Sequence, residues 1–350
     1  MTMSPKVVVS ALLLASAMNV SAYRAKVVYG DDNRVLAQDS SNSEFREWSK
    51  ATAAMIPNSS IRFPRAEDRF PDTVTIYDKS NLGEEYGLCK GETFSEMINP
   101  ANCSGFLVEE AGEQYLITAG HCVETSMDCE NSSWVFGFTS DKVTEKYDDR
   151  AFIPAKDVYK CSEVVDQVLE RGSENDYAVI KLDRKVEGIT PLKFRKEGKV
   201  DASSEMVVIG HPSGLPTIID DKGSIRENEN DFYFVANLDT FGGNSGSAVL
   251  NVSTGEVEGI LVRGETDYEY VAQDSENGGC KIVLKCDEGD CRGEDVTRIT
   301  NIELLTGKPG PVYVAPVDTN PYSGYNPWTD PDHWYDNIYN EYDDYNFLID

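Results

Sequence analysis

Gly242-Gly243-Asn244-Ser245-Gly246-Ser247, with Thr118-Ala119-Gly120-His121-Cys122 upstream, is the stretch on which the reading of this chain turns. A serine hydroxyl is a poor nucleophile until a histidine takes its proton, and the oxyanion formed on attack needs fixed N–H donors. Glycines around a serine let the backbone aim its own amides, and so supply those donors. Between the two stretches, Asn175-Asp176-Tyr177-Ala178-Val179-Ile180 offers a carboxylate to orient the histidine. Base, acid and nucleophile thus fall in the order His121, Asp176, Ser245, with Gly243 and Ser245 as candidate oxyanion-hole donors.

The order discriminates between hydrolase folds. An α/β-hydrolase elbow needs Gly-x-Ser-x-Gly and places its acid and histidine after the serine. Here Ser247 stands where the second glycine belongs, and His333 is the sole histidine downstream. The His–Asp–Ser order instead resembles the chymotrypsin-like (trypsin-fold) serine proteases, and Gly-Asn-Ser-Gly-Ser is most similar to the bacterial V8/glutamyl-endopeptidase-like branch. The resemblance spans roughly residues 85–305. It implies an all-β fold of two packed antiparallel six-stranded β-barrels with the site in the cleft between them, hydrolysis of peptide bonds without a cofactor or metal, and a bridge between Cys103 and Cys122. That bridge would close a loop of about 20 residues, worth about 3 kcal/mol in loop entropy, and hold His121 in place. A secreted homologue that binds a partner without catalysis is the rival reading, and an intact His121–Asp176–Ser245 set argues against it.

Composition bounds the partners. The 350 residues carry 32 basic and 61 acidic side chains, a formal net charge of −29. Nucleic acid and anionic membranes are recognised by cationic contacts, so both are disfavoured, and protein or peptide substrates remain. A monomer is expected. Lys6 followed by Val7–Ala15 and then Val20-Ser21-Ala22 reads as a signal peptide over 1–22, too short in its apolar run to span a membrane. The mature chain is therefore expected outside the cytoplasm, extracellular or periplasmic. Eight cysteines suit that oxidising space. Cys129 and Cys161 are candidates for a bridge in the first barrel, while Cys89, Cys280, Cys286 and Cys291 leave three pairings open. Three scattered histidines give no tight zinc pattern with them.

Along the chain, 23–50 reads as a propeptide or an N-terminal arm, 51–185 as the first β-barrel and 186–305 as the second. Within these, Gly105–Val108 and Tyr115–Thr118 form a legible hairpin, and Asp183–Lys199 reads as the crossing between barrels. Strands are expected near Met206–Ile209, Phe232–Val235, Ser247–Leu250 and Val257–Val262, with Val296–Leu305 the last β-like stretch. Residues 306–350 hold seven of the 18 tyrosines and eight acids against Lys308, with few aliphatic side chains, and read as a disordered tail.

Two histidines and two serines compete for the same roles. His211, before Pro212, reads as a turn histidine, and Ser247 does not follow Gly242-Gly243-Asn244 directly. Asn244 replaces the aspartate with which trypsin-like enzymes receive a freed N-terminus, and an amide forms no such ion pair; a propeptide of a zymogen would have to block the cleft instead. Asp239, six residues before Ser245, matches the position where trypsin-like enzymes carry the acid that binds Arg or Lys through charge-assisted bonds; the alternative is a structural loop aspartate with an apolar or mixed pocket. Val262, Arg263 and Gly264 align with the strand that binds substrate backbone. Leu261 and Val262 stand where glutamate-specific relatives carry a histidine, so the expected ligand for glutamate is absent.

Overall fold

The structure, a computed structural model, describes residues 28–144, 149–264, 266–271, 279–287 and 291–314. The expected signal peptide and most of the expected tail lie outside these residues. The chain divides at Pro311/Val312, and everything that follows concerns the first unit.

Six strands of the first unit close on themselves. They are β1 (Thr52–Pro57), β2 (Cys103–Glu110), β3 (Glu113–Thr118), β4 (Ser132–Phe136), β5 (Val158–Glu170) and β6 (Asn175–Leu182). The ring runs β5-β6-β3-β2-β1-β4 and back to β5, every pair antiparallel. Closure removes the unpaired edges that an open sheet would expose. The β2–β3 hairpin is the one expected from the sequence. Its two-residue turn, Ala111-Gly112, has both φ angles positive, at 51° and 85°, the backbone twist that matches two right-twisted strands. Two register shifts in β5 bend that long strand around the barrel.

A second ring follows: β7 (Glu205–Gly210), β8 (Ile218–Glu227), β9 (Tyr233–Asn237), β10 (Ala248–Asn251), β11 (Glu256–Arg263) and β12 (Glu294–Arg298). It closes as β11-β10-β7-β8-β9-β12 through the antiparallel β11–β12 pairing. The two-barrel fold expected from the motifs is therefore present. Strand β8 escaped the sequence reading because Asp220-Asp221-Lys222-Gly223 interrupts its apolar run, and its paired face is all that marks it. The last β-like stretch also differs from expectation. Its strand ends at Arg298, and a helical turn occupies Glu303–Thr306. The barrel crossing contains a short strand, Lys193–Phe194, lying parallel to the start of β11.

Alternation along β7 shows how the core is partitioned. Met206 and Val208 join Phe234, Leu261 and Val296 inside the second barrel. Val207 and Ile209, on the opposite face, join an apolar cluster that also holds Phe106, Leu116 and Val179 of the first. The barrels thus share one apolar seam, in which each fully buried side chain of this size contributes about 1.5–3 kcal/mol.

Residues 28–50 are an arm on the second barrel. Val28–Tyr29 pair in parallel with Lys285–Cys286, and Val35–Leu36 pair with Ile219 and Ile218 of β8. A short helix, Ser43–Trp48, follows, its first turn capped by Asn42, whose Oδ1 accepts from the Glu44 N–H at 2.9 Å. Four disulfides join Cys103 to Cys122, Cys129 to Cys161, Cys89 to Cys280 and Cys286 to Cys291. The Cys103–Cys122 and Cys129–Cys161 bridges are those expected. The other two resolve the pairing that spacing left open.

Candidate active site

His121 sits in a turn directly after β3, and Gly120 lets that turn pack. A Cβ on Gly120 would lie 2.1 Å from the Val168 carbonyl oxygen and 2.9 Å from that of Tyr177, so a side chain would force the turn off β5 and β6. Packed there, the histidine meets Asp176, the second residue of β6. Asp176 is 1 % exposed. Its Oδ1 accepts the His121 backbone N–H at 3.1 Å, and its Oδ2 lies 2.7 Å from Nδ1. A carboxylate beside Nδ1 places the proton there, which leaves Nε2 with a free lone pair. The two bonds from one carboxylate fix both the ring's tautomer and its orientation.

The serine loop comes from the other barrel, between β9 and β10, and is laced onto β2. The Ser104 N–H donates to the Ser245 carbonyl at 2.8 Å, and Ser104 Oγ donates to the Gly243 carbonyl at 3.0 Å. Thr118 Oγ1, three residues before His121, donates to the Ser104 carbonyl at 2.7 Å. Gly246, at φ 89°, permits this approach, since a Cβ there would lie 2.0 Å from the Ser104 oxygen. Cys103, next to Ser104, is bridged to Cys122, next to His121. The serine loop and the histidine turn are therefore tied to the same two residues of β2.

The competitors separate clearly. Ser247 is wholly buried and donates its hydroxyl to Asn244 Oδ1 at 2.8 Å, so it is a loop brace. Asn244 is itself buried and spent on that contact. His211 is also wholly buried. Its Nδ1 donates to the Leu215 carbonyl at 2.9 Å, its ring stacks on Phe138, and burial holds its pKa down at about 4. The Gly242 carbonyl accepts from the Ser213 N–H, which turns the Gly243 N–H of the same trans peptide the opposite way. Among the described residues, the Gly243 and Ser245 N–H groups donate to no acceptor.

The candidate specificity residues are arranged less simply. Asp239 is buried at 3 %, with Oδ1 accepting the Tyr29 N–H at 2.7 Å and Oδ2 the Asn33 N–H at 3.0 Å. Its own N–H donates to Asp220 Oδ2 at 2.7 Å. Burial pushes Asp239 up to about 6 and Asp220 up to about 8, the nearby Asp239 charge adding to the latter. The N-terminal arm thus occupies the carboxylate that the sequence offered to substrate. Arg34 of that arm stacks on Phe241 and pairs with Asp32 at 2.8 Å. Val262 is buried in the seam between barrels. Gly264 abuts Glu294, since a Cβ there would lie 1.7 Å from Oε2. Glu294 is fully buried and accepts from Thr240 Oγ1 at 3.0 Å. Arg263 turns toward acids of both barrels, Asp295, Glu174 and Asp176. Glu174, Glu294 and Asp295 were not legible in the sequence, because 61 acids offer no local signal to pick them out.

His121 lies close enough to Cys103 and Cys122 to suggest a metal cluster. Both sulfurs are consumed by the bridge and offer no thiolate, so these residues do not fit a metal ion. A concavity of about 1090 Å³ lies on a flanking sheet around Arg62, Phe70 and Phe152 and is lined by none of the triad candidates.

Residues 103–260 match the family described as Trypsin-like peptidase domain. Similar solved structures include a Glu endopeptidase in complex with MPD, at 19% identity over 74% of this chain and 94% of that one, with a TM-score of 0.37. A mutant of human heparin binding protein is similar at 16% identity over 61% of this chain and 90% of that one, with a TM-score of 0.39. No curated protein matches the chain in sequence. The segment similar to the trypsin-like peptidase family includes His121, Asp176 and Ser245, and the strand pairings close two six-stranded antiparallel barrels around them.

Proposed function

We propose that the protein is an exported serine endopeptidase that cuts peptide bonds through His121, Asp176 and Ser245. The observation that carries this reading is the Asp176–His121 pair, two hydrogen bonds that leave Nε2 as the only lone pair of the ring, beside a serine loop tied to the same strand. In the proposed cycle Nε2 takes the Ser245 hydroxyl proton as Oγ attacks the peptide carbonyl. The Gly243 and Ser245 N–H groups stabilise the oxyanion. His121 then returns the proton to the leaving amine, an acyl-enzyme forms on Ser245, and water completes hydrolysis by the same route. Asp176 stays ionised throughout and stabilises the imidazolium.

Export is supported by the four disulfides, which persist in oxidising compartments. No helix among the described residues is long and apolar enough to cross a membrane. Because the Asp239 oxygens already accept two arm N–H groups, the favoured pocket is mixed in character with Asp239 as a structural acid. A peptide-library profile with Arg or Lys before the cut, lost in Asp239→Ser, would reverse that assignment.

The test of the activity is Ser245→Ala, with a peptide phosphonate as a second probe. Hydrolysis should vanish while the melting temperature holds, and the phosphonate should label Ser245 alone. Labelling of Ser247, or an active Ser245→Ala enzyme, would overturn the mechanism. A folded wild type that neither cuts nor labels would indicate the non-catalytic homologue.

A further inference from the structure

We propose that Arg263 is a positioning residue of the catalytic site, a cationic clamp from the second barrel that holds Asp176 behind His121. The inference rests on the triad reading above and adds a fourth participant to it. Arg263 ends β11, and its side chain is 21 % exposed. Its guanidinium reaches three acceptor groups at once. Nε donates to Asp295 Oδ2 at 3.2 Å, and Nη2 donates to the Glu174 backbone carbonyl at 2.7 Å. Nη1 lies 3.7 Å from Asp176 Oδ2, the oxygen that accepts the proton of His121 Nδ1.

That geometry has a direction. At 3.7 Å the Nη1 contact is an ion pair and not a hydrogen bond, so it leaves the lone pair used by His121 undisturbed. The planar guanidinium fork suits such multi-acceptor bridging; a lysine offers a point charge and no fork. Asp295, on β12, is itself anchored by Arg292 Nη2 at 2.6 Å, so the clamp is fixed on the second-barrel side. On the first-barrel side it grips Glu174, which precedes β6 at φ 59° and lies two residues from Asp176. One cation therefore pins the start of β6 across the cleft. The alignment of Arg263 with a substrate-binding strand is consistent with this, because its side chain faces away toward the triad acid.

Charge makes the proposal readable in pH. The charged groups around this guanidinium are Asp176 from the first barrel, with His121 bonded to its Oδ2, Glu174 before β6, and Asp295 with Arg292 from the β12 segment. Tyr233 on β9 senses the same charges. A positive charge 3.7 Å from Asp176 Oδ2 holds the carboxylate that aligns the His121 ring. Removing it should leave the ring less well oriented and change the local charge that a pH–rate profile senses.

The experiment compares Arg263→Met and Arg263→Lys with wild type, using a chromogenic peptide and phosphonate titration to count competent sites. Arg263→Met should lower kcat by about tenfold or more with KM little changed, the signature of an interaction that acts on the chemical step. The acid limb of kcat/KM should move up by about half a pH unit. Arg263→Lys should return the acid limb toward wild type and recover only part of kcat. A clamp that is merely structural would lower the melting temperature and leave the pH profile of the titrated sites unmoved. That result, or wild-type kcat in Arg263→Met, refutes the proposal while leaving the triad intact. Activity in Ser245→Ala would instead refute the triad itself.

Discussion

Asp176→Asn tests the site at the point where its geometry is most exacting. The carboxylate accepts two hydrogen bonds from one residue, the His121 N–H at 3.1 Å and Nδ1 at 2.7 Å. An amide has one acceptor oxygen and one NH₂ donor. With its oxygen toward Nδ1, the NH₂ faces the backbone N–H and leaves a buried donor unmet, a cost of about 1–3 kcal/mol. With NH₂ toward Nδ1, the ring must carry its proton on Nε2 and cannot act as the base. The second arrangement wins, because the imidazole can change tautomer and the backbone amide cannot. To this tautomer penalty is added the lost charge beside the imidazolium, about 1.5–3 kcal/mol for a charged hydrogen bond. Together they give about 2.5–6 kcal/mol, or roughly 10²–10⁴ in rate at 1.36 kcal/mol per decade. Triads of this type fall near the upper figure. Steady-state kinetics on a chromogenic peptide should show the loss in kcat, with KM and melting temperature close to wild type. A variant within tenfold of wild-type kcat, when Ser245→Ala is dead, would refute the assignment of Asp176 as the orienting acid.

Two further outcomes follow from the same coordinates. Replacing Cys103 and Cys122 together by alanine opens a loop of 19 residues, and denaturant titration should register a loss of about 3 kcal/mol; activity should fall at denaturant concentrations where the wild type is still fully active, because the bridge ties the base turn to the strand that holds Ser245. The buried Asp220–Asp239 pair should make stability depend on pH. Both acids titrate above the 3.8 of a free aspartate, Asp239 at about 6 and Asp220 at about 8, so the folded protein holds protons the unfolded chain has released. Their contribution is complete below pH 4 and is lost as pH rises toward 8. In Asp220→Asn the unfolding midpoint should fall less between pH 4 and 8 than in wild type; parallel curves would show that the pair does not titrate as the burial implies.

The candidate site was legible locally. Thr118–Cys122 and Gly242–Ser247 announce a base and a nucleophile because glycine is demanded where backbone must approach backbone. Gly120 and Gly246 bear this out, each within about 2 Å of a clash were a Cβ present. Short apolar runs bounded by turn residues made β2, β3, β7 and β11 readable, since a strand buried on both faces carries a near-continuous apolar stretch. Strand β8 was not readable, because its Asp-Asp-Lys-Gly core breaks the apolar pattern and is held by pairing with β7, while the arm and β9 pair with the residues on either side.

What the tertiary structure alone decided is where the charges go. With 61 acids in the chain, proximity in sequence says little about which carboxylate faces which cation. Asp239 has the spacing of a specificity acid, yet a segment more than 200 residues away, the Tyr29 and Asn33 N–H groups, closes over it. Arg263 has the place of a substrate-binding residue, yet it spans the cleft to the triad acid. The proposed reactive groups were legible because covalent chemistry constrains residue type at fixed spacing. Their electrostatic partners were not, because Coulomb interactions depend on distance in space, and only the closing of the two barrels sets that distance.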